Sequence, residues 1–239
     1  MPLFFNLIEE RIIKVFFLKT PGSMFLISHI KISPLKVFIS FAGGVIVFLL
    51  LTSAAENNND SVLLSKAEKI CRESIVLDAH IDWPEWLTRY SENISGKAAT
   101  GDFDYYRAYK GGLNAAFSVA YISARLNEKK GRLMLDSMVN IVHSYIKTYP
   151  DKFAAAFSPA DVRHNFRKNL ISLPLCVENG SLIGNDLSYI SYLKEKGIVY
   201  ITLNHNKSNN LGDANLDKNR IRNGLSPFGK EVIKRMNKE

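Results

Sequence analysis

Cysteine is nearly absent from the 239 residues, with only Cys71 and Cys176 present. Two residues so far apart exclude a cysteine-based zinc module and a multi-bridge disulfide framework, leaving at most one bridge if the body is exported. Glycine and proline are also sparse, at 14 and 8, against 46% hydrophobic residues. That balance excludes a disordered chain and provides for a sizeable core. There is no Gly-rich phosphate loop and no short internal repeat. The net charge is +8 and the pI near 9.4. Lys and Arg are scattered, however, and no basic run is interleaved with aromatics, so the chain is not read as a nucleic-acid binder.

Charge is missing altogether from Val37–Ala55, "VFISFAGGVIVFLLLTSAA". Lys31 and Lys36 precede it, the layout of a basic n-region feeding an apolar h-region. Ser53 and Ala55 occupy the positions a signal peptidase reads for cleavage before Glu56. An uncharged run of about 19 residues is also near the length of a membrane span. Residues 1–55 are therefore expected to be a leader, either a signal peptide or a single membrane anchor. Both options leave the body on the non-cytoplasmic side, exported or membrane-anchored. The first two dozen residues are an unusual preface to an export signal, and Met24 is a candidate true start. "ENNNDS" is a polar linker; residues 56–69 form the linker and first helix, and residues 70–239 the body.

From Ser61 onward, helical periodicity alternates with short apolar runs. "SVLLSKAEKICRES" has a Ser cap and helical apolar spacing, and "IVLDAHID" reads as a buried strand. "GGLNAAFSVAYIS" gives a second strand after a Gly-Gly turn. Leu133, Met138, Ile141, Val142 and Tyr145 stand at helical spacing in "GRLMLDSMVNIVHSYIKTYP", which stops at Pro150. Ser158 and Pro159 open a short helix in "SPADVRHNFRKN". "LISLPLCVENG" is a third strand, "DLSYISYLKEKG" a helix ended by Gly197, and "IVYITLNHN" a fourth strand. "SPFGKEVIKRMNKE" opens a last helix. Near-continuous apolar strands alternating with helices predict an α/β fold with a parallel sheet covered by helices. Four such units without a phosphate loop fit a (β/α)8 TIM-type barrel better than a dinucleotide-binding sheet, and four units make half of one.

Polar residues set into apolar strands are the candidates for chemistry. Alternation puts Asp78, His80 and Asp82 of "IVLDAHIDWPEW" on one face of the first strand, just before Pro84. Burying such groups unpaired costs several kcal/mol, so a compensating partner is required. A divalent metal is the economical one, because His-x-Asp at a strand's C-terminal end offers a nitrogen and a carboxylate a few ångströms apart. The alternative is a hydrogen-bonded polar cluster capping the strand. Glu178, ending "LPLCVE", brings a carboxylate to the same mouth; it can bridge two metal ions or bond loop amides. Cys176 shares its face and reads as a buried small residue rather than a ligand. His205 ends the fourth strand, placed either to polarise or orient a substrate carbonyl or to bond the backbone. His143 and His164 fall in helical segments and read as solvated. His29 belongs to the leader.

Taken in order, "LDAHIDWP", "GDFDYYRAYKGGLNAAFSVAYIS", "YPDKFAAAFSPADVRHNF", "VENGSLIGNDLSYISYLKEKGIVYITLNHNKSNNLGDA" and "GLSPFGKEVIKRMN" resemble the membrane dipeptidase (renal dipeptidase-like) family of zinc peptidases. The matching pieces cover nearly all of residues 70–237. The resemblance implies a (β/α)8 barrel holding two zinc ions. His80 and Asp82 would ligate one zinc, Glu178 would bridge both as the catalytic carboxylate, and His205 would contact the substrate near its scissile carbonyl. A metal-bridging hydroxide would then attack the peptide carbonyl of a dipeptide, zinc acting as Lewis acid and lowering the pKa of the water.

Beyond the helix matching "GLSPFGKEVIKRMN", the family pattern places two further metal-binding histidines, an arginine for the substrate carboxylate and an aspartate near the water. None has a counterpart in residues 1–239. The expectation is a truncated or interrupted copy of such an enzyme, represented by its N-terminal half and inactive alone. The second zinc site would keep only the shared carboxylate. Two open strand edges and an apolar interior would then call for a second chain supplying the missing half-barrel. Two rival readings stay open: a catalytically silent half-barrel that binds a peptide or partner chain, and a membrane-tethered interaction protein whose His-x-Asp is structural.

Overall fold

Apolar runs too short for helices become parallel strands, and the longer amphipathic stretches between them become the helices that cover one face of the sheet. The computed structural model describes residues 60–239; the expected leader and the linker as far as Asn59 lie outside them. Among the described residues, no helix is long and apolar enough to cross a membrane.

The chain enters through a helix over 60–73 (α1), followed by β1 (Val76–Ile81), α2 (Trp83–Arg89), α3 (Tyr105–Lys110) and β2 (Leu113–Tyr121). Then come α4 (Glu128–Thr148), β3 (Phe153–Ala154), α5 (Pro159–Arg167), β4 (Ile171–Ser172) and β5 (Leu175–Glu178). A 3-10 turn at Gly180–Ile183 leads to α6 (Ser188–Glu195), β6 (Ile198–Thr202) and α7 (Pro227–Lys238). The helix starts follow local chemistry. Asn127, Ser158 and Ser226 cap α4, α5 and α7 by accepting the amides of Lys130, Asp161 and Gly229, satisfying donors that have no partner within the helix.

Every ladder between these strands is parallel. Strand β2 is central, with β1 on one side and β4 and β5 on the other; β3 lies beyond β4 and β6 beyond β5. This curled parallel sheet is half of a TIM-type barrel, resembling the expected architecture in its order of units. The third expected strand is two, because the run turns at Leu173–Pro174: Pro174 has no amide to give the ladder, although its carbonyl accepts the Ser118 amide at 2.7 Å. The two-residue β3 and the short helices α2 and α3 carry too few residues to show a periodicity, and sequence reading passed over them.

One face of the sheet is the core. Ala116 and Ala120 of β2 and Leu175 and Val177 of β5 pack with Leu135, Met138, Val139 and Val142 of α4 and with Leu193 of α6. Two sequence expectations change here. Leu133 is not on the packed stripe of α4 but 63% exposed, and Leu135 takes the core position. Strand β1 is not buried: Leu77 is 52% exposed, since among the described residues β1 has β2 as its sole strand neighbour. Gly112 joins α3 to β2 at φ 80, where a Cβ would stand 2.7 Å from Cys71 Cβ. Only glycine takes both that backbone and that approach.

The start of α2 is anchored to β2 by a buried hydrogen bond, Trp83 Nε1 donating to Ser118 Oγ at 2.9 Å. Ser118→Ala leaves the indole N–H unpaired in the core. It is expected to lower unfolding free energy by about 1–3 kcal/mol in urea denaturation with an unchanged slope.

Candidate metal centre

The end of β1 delivers two of the candidate ligands. His80 is the penultimate residue of the strand, and Asp82 stands at the N-cap of α2 with no capping bond from its side chain. Pro84 in the first turn of α2 starts the helix at once, and Trp83 and Pro84 are buried, so the Asp82 carboxylate is projected outward from a fixed turn. The β1–β2 register shifts between Asp78 and Ile81. Asp78 does not join the site: its carboxylate turns back to accept the His80 amide at 2.9 Å.

Glu178 ends β5, where neighbours on both sides fix its backbone. It pairs with Tyr121 of β2 and Thr202 of β6, its carbonyl accepts the Ile122 amide at 3.0 Å, and the next amide, of Asn179, donates to Thr202 O at 3.1 Å. Asn179 turns the chain at φ 78, a region that asparagine tolerates better than most residues. Its side chain is satisfied by Ile122 O, by the Ser181 amide and by Asn209. His205 follows β6 at the start of a loop stitched by Asn204 to Gly212 O at 3.0 Å and by Asn209 to Leu203 O at 2.8 Å. The His205 ring meets Tyr121 edge-on with centroids 5.1 Å apart.

These elements bring His80, Asp82 and Glu178 together, with one ligand atom from each within 4.8 Å of the others. His80 Nε2 lies 3.4 Å from Glu178 Oε2 and 3.7 Å from Asp82 Oδ1. His205 Nε2 lies 3.6 Å from the other carboxylate oxygen, Glu178 Oε1. Ligands at about 2.0–2.1 Å around a tetrahedral zinc are about 3.3–3.5 Å apart; the His80–Glu178 separation matches that spacing, the His80–Asp82 separation is slightly wider, and the nitrogen and oxygen donors suit such an ion. Burial raises the Asp82 carboxyl above its ordinary value; Glu178 pushes the same way, against the opposing pull of His80 and His205. A cleft of about 530 Å³ beside the cluster is lined by Asp78, His80, Asp82, Trp86 and Arg107 among others.

The remaining candidates stay apart. His143 and His164 are exposed on α4 and α5; partial desolvation of its ring, and then Lys196, lower the His143 pKa. Cys71 and Cys176 are both unbridged thiols. Sequence reading missed Tyr121, which packs on His205, and Tyr200 of β6, whose hydroxyl reaches Ala79 O and His80. Position along the run was the available signal for Tyr121, which stands at the very end of its strand. Tyr200 gave none, because an aromatic residue in an apolar strand reads as core.

Residues 64–239 match the family described as Membrane dipeptidase (Peptidase family M19), and the chain belongs to that family. Among curated relatives, Dipeptidase aclJ of Aspergillus oryzae is 27% identical over 189 residues, covering 73% of this chain and 45% of that protein. Dipeptidase verJ of Clonostachys rogersoniana is 25% identical over 190 residues, covering 73% and 49%. The chain thus spans about half the length of the curated relatives it matches. In fold it is similar to the probable dipeptidase PvdM from Pseudomonas aeruginosa, with TM-score 0.69 at 19% identity over 74% of this chain and 48% of that one. A metallo peptidase from Rhodobacter sphaeroides, liganded with a phosphinate mimic of the dipeptide L-Ala-D-Ala, gives TM-score 0.62 at 18% identity over 69% and 56%.

Burial pushes the Cys176 thiol up to about 12, and only a thiolate alkylates at a useful rate. Iodoacetamide at pH 8 is therefore expected to label Cys71 and spare Cys176 in the native protein, with both labelled in denaturant, as read by peptide mass spectrometry.

Proposed function

We propose that this chain carries the His-Asp-Glu half of a zinc dipeptidase site. The observation that carries the reading is the Glu178 carboxylate, with one oxygen turned to His80 and the other to His205. His80 and Asp82 would hold one zinc and Glu178 would share its second oxygen with a neighbouring ion. Zinc bound there supplies Lewis acidity and a water of lowered pKa. The protein's own part is to hold the carboxylate between two imidazoles and to present His205 to a substrate carbonyl, as a donor that orients a dipeptide. Membership of the dipeptidase family and the likeness in fold to a metallo peptidase seen with a dipeptide mimic support the substrate class.

Residues 1–239 on their own would have little or no dipeptidase activity, because the second zinc would find only the shared carboxylate. A second reading, that the chain docks a partner chain supplying the other half-barrel, is favoured by one observation. The sheet face opposite the core carries an apolar cleft of about 520 Å³ lined by Leu77, Phe117, Phe157, Val199 and Tyr200 among others. The body is placed on the non-cytoplasmic side, exported or membrane-anchored, on the charge asymmetry about Val37–Ala55 alone.

Metal analysis of the purified full chain is expected to give one tightly held zinc, lost in His80→Ala and in Glu178→Ala. Two ions would indicate an assembled enzyme, and none would support a structural role for the cluster. Hydrolysis of Ala- and Gly-containing dipeptides is expected at background with or without added zinc. Zinc-dependent turnover by the chain alone would overturn the proposed inactivity.

A further inference from the structure

The dipeptide Asn-Gly occurs twice in the sequence, at Asn179–Gly180 and at Asn223–Gly224, and the fold gives the two copies opposite surroundings. Both asparagines stand at positive φ, 78 and 53, a region that asparagine visits more readily than most residues with a side chain. There the likeness ends.

Asn179 is 1% exposed. Its Nδ2 donates to Ile122 O at 2.7 Å, and its Oδ1 accepts the Ser181 amide and the Asn209 side chain, both at 3.2 Å. The next amide, of Gly180, donates to Leu203 O at 3.2 Å. Side chain and following nitrogen are thus each held by other partners.

Asn223 lies in the exposed stretch 218–225, and among the described residues no group bonds its side-chain amide. The Gly224 nitrogen stands 3.5 Å from Asp213 Oδ2, beyond the usual range for such a bond, whereas the same carboxylate takes the Arg222 amide at 2.6 Å. A Cβ on Gly224 would meet nothing within 4 Å, so the space about that nitrogen is open. The exposed charges of the stretch are Lys218, Arg220 and Arg222. The nearby acids face inward: the Asp213 side chain is 3% exposed and opposite Arg222, and Asp217 is buried and accepts the Ser208 amide.

We propose that Asn223 is a site of spontaneous succinimide formation, with water as the co-reactant and an aspartyl or isoaspartyl residue as the product, while the fold withholds the same chemistry from Asn179. The Gly224 nitrogen attacks Asn223 Cγ. As the N–Cγ bond forms, the Cγ–Nδ2 bond breaks, and Nδ2 leaves as ammonia with the proton that the Gly224 nitrogen gives up. Water then opens the ring at either carbonyl. Cleavage of the N–Cγ bond leaves aspartate, and cleavage between the Gly224 nitrogen and the Asn223 backbone carbonyl carbon leaves isoaspartate, with the chain routed through the side chain. Either product lowers the net charge of +8 by one and sets a carboxylate among exposed cations. Isoaspartate also adds one carbon to the backbone beside Asp213, the carboxylate that gathers the Ile221 and Arg222 amides. None of this depends on bound zinc.

The test is incubation of the purified full chain at mildly alkaline pH, followed by peptide mass spectrometry and by cation-exchange chromatography of the intact protein. The Asn223 peptide is expected to gain close to one mass unit and to split into aspartyl and isoaspartyl forms. Conversion at Asn223 is expected to be at least about 10-fold faster than at Asn179, the factor to which loss of a single buried hydrogen bond corresponds. In denaturant the two sites are expected to convert at similar rates, because the reacting dipeptide is the same. Asn223→Gln is expected to remove the corresponding early-eluting species and to leave the thermal midpoint unchanged. A native Asn223 that stays intact while the denatured chain converts overturns the proposal, and so do equal native rates at the two sites. An Asn179 that lags as far behind in denaturant as in the native protein overturns the part assigned to the fold.

Discussion

The position of the Glu178 carboxylate is the constraint on which the rest of the site depends. Its strand is paired along both edges, with β2 through Tyr121 and with β6 through Thr202. Its side chain is only 15% exposed, so an isolated negative charge there would carry a substantial desolvation cost. Two imidazoles, one at each oxygen, are what the fold provides against that cost in the protein alone. Each comes from the strand or loop end that the curl brings nearest. His80 is held by the anchored turn into α2, His205 by the asparagine-stitched loop after β6. Were β1 and β6 in a flat sheet, no side chain could reach from one to the other across two intervening strands. Tyr200 does so, which makes the curl visible in a single contact.

Much of this was legible in the sequence, for a physical reason. A charged group in an apolar strand must be compensated, so His80, Asp82 and Glu178 announced themselves by being out of place, each near the point where an apolar run gives way to a turn. Periodicity located all four principal strand runs and the helices α4 to α7, because long amphipathic stretches leave a pattern that no short-range accident imitates. Residues that look ordinary in their own surroundings were not legible. Tyr200 passes for core until the fold brings Ala79 and His80 to its hydroxyl. Asn179 passes for a turn residue, yet its amide ties β5 to the end of β2 through Ile122 O. Asp78 looked like a third member of the cluster by alternation, and the register shift in β1 turned it to a backbone amide instead. Roles that only the assembled fold creates have no local signature.

The exposure of β1 follows from the same geometry. Sequence reading assigned it to the interior because "IVLDAHID" has the apolar content of a buried parallel strand. Parallel strands are apolar on both faces because both are ordinarily covered. Here the helices cover one face, while Leu77 and Val199 lie open on the other among the described residues. The composition thus records an environment that the strand has on one side only in this structure.

That open apolar surface and the ligand cluster are two parts of one concave face. Polar groups gather at the C-terminal ends of the strands, and below them Phe117, Val199 and Tyr200 line the apolar cleft. An apolar floor lowers the local dielectric, which strengthens attraction between a carboxylate and a cation and at the same time penalises the carboxylate left alone. Asp82 shows the second effect: burial raises its carboxyl against the opposing pull of His80, and Glu178 adds to the rise. A site built this way is poorly balanced without positive charge and favourable with it. The apolar surface that costs the sheet stability when exposed is therefore also what would strengthen the attraction of the proposed His80, Asp82 and Glu178 cluster for a cation.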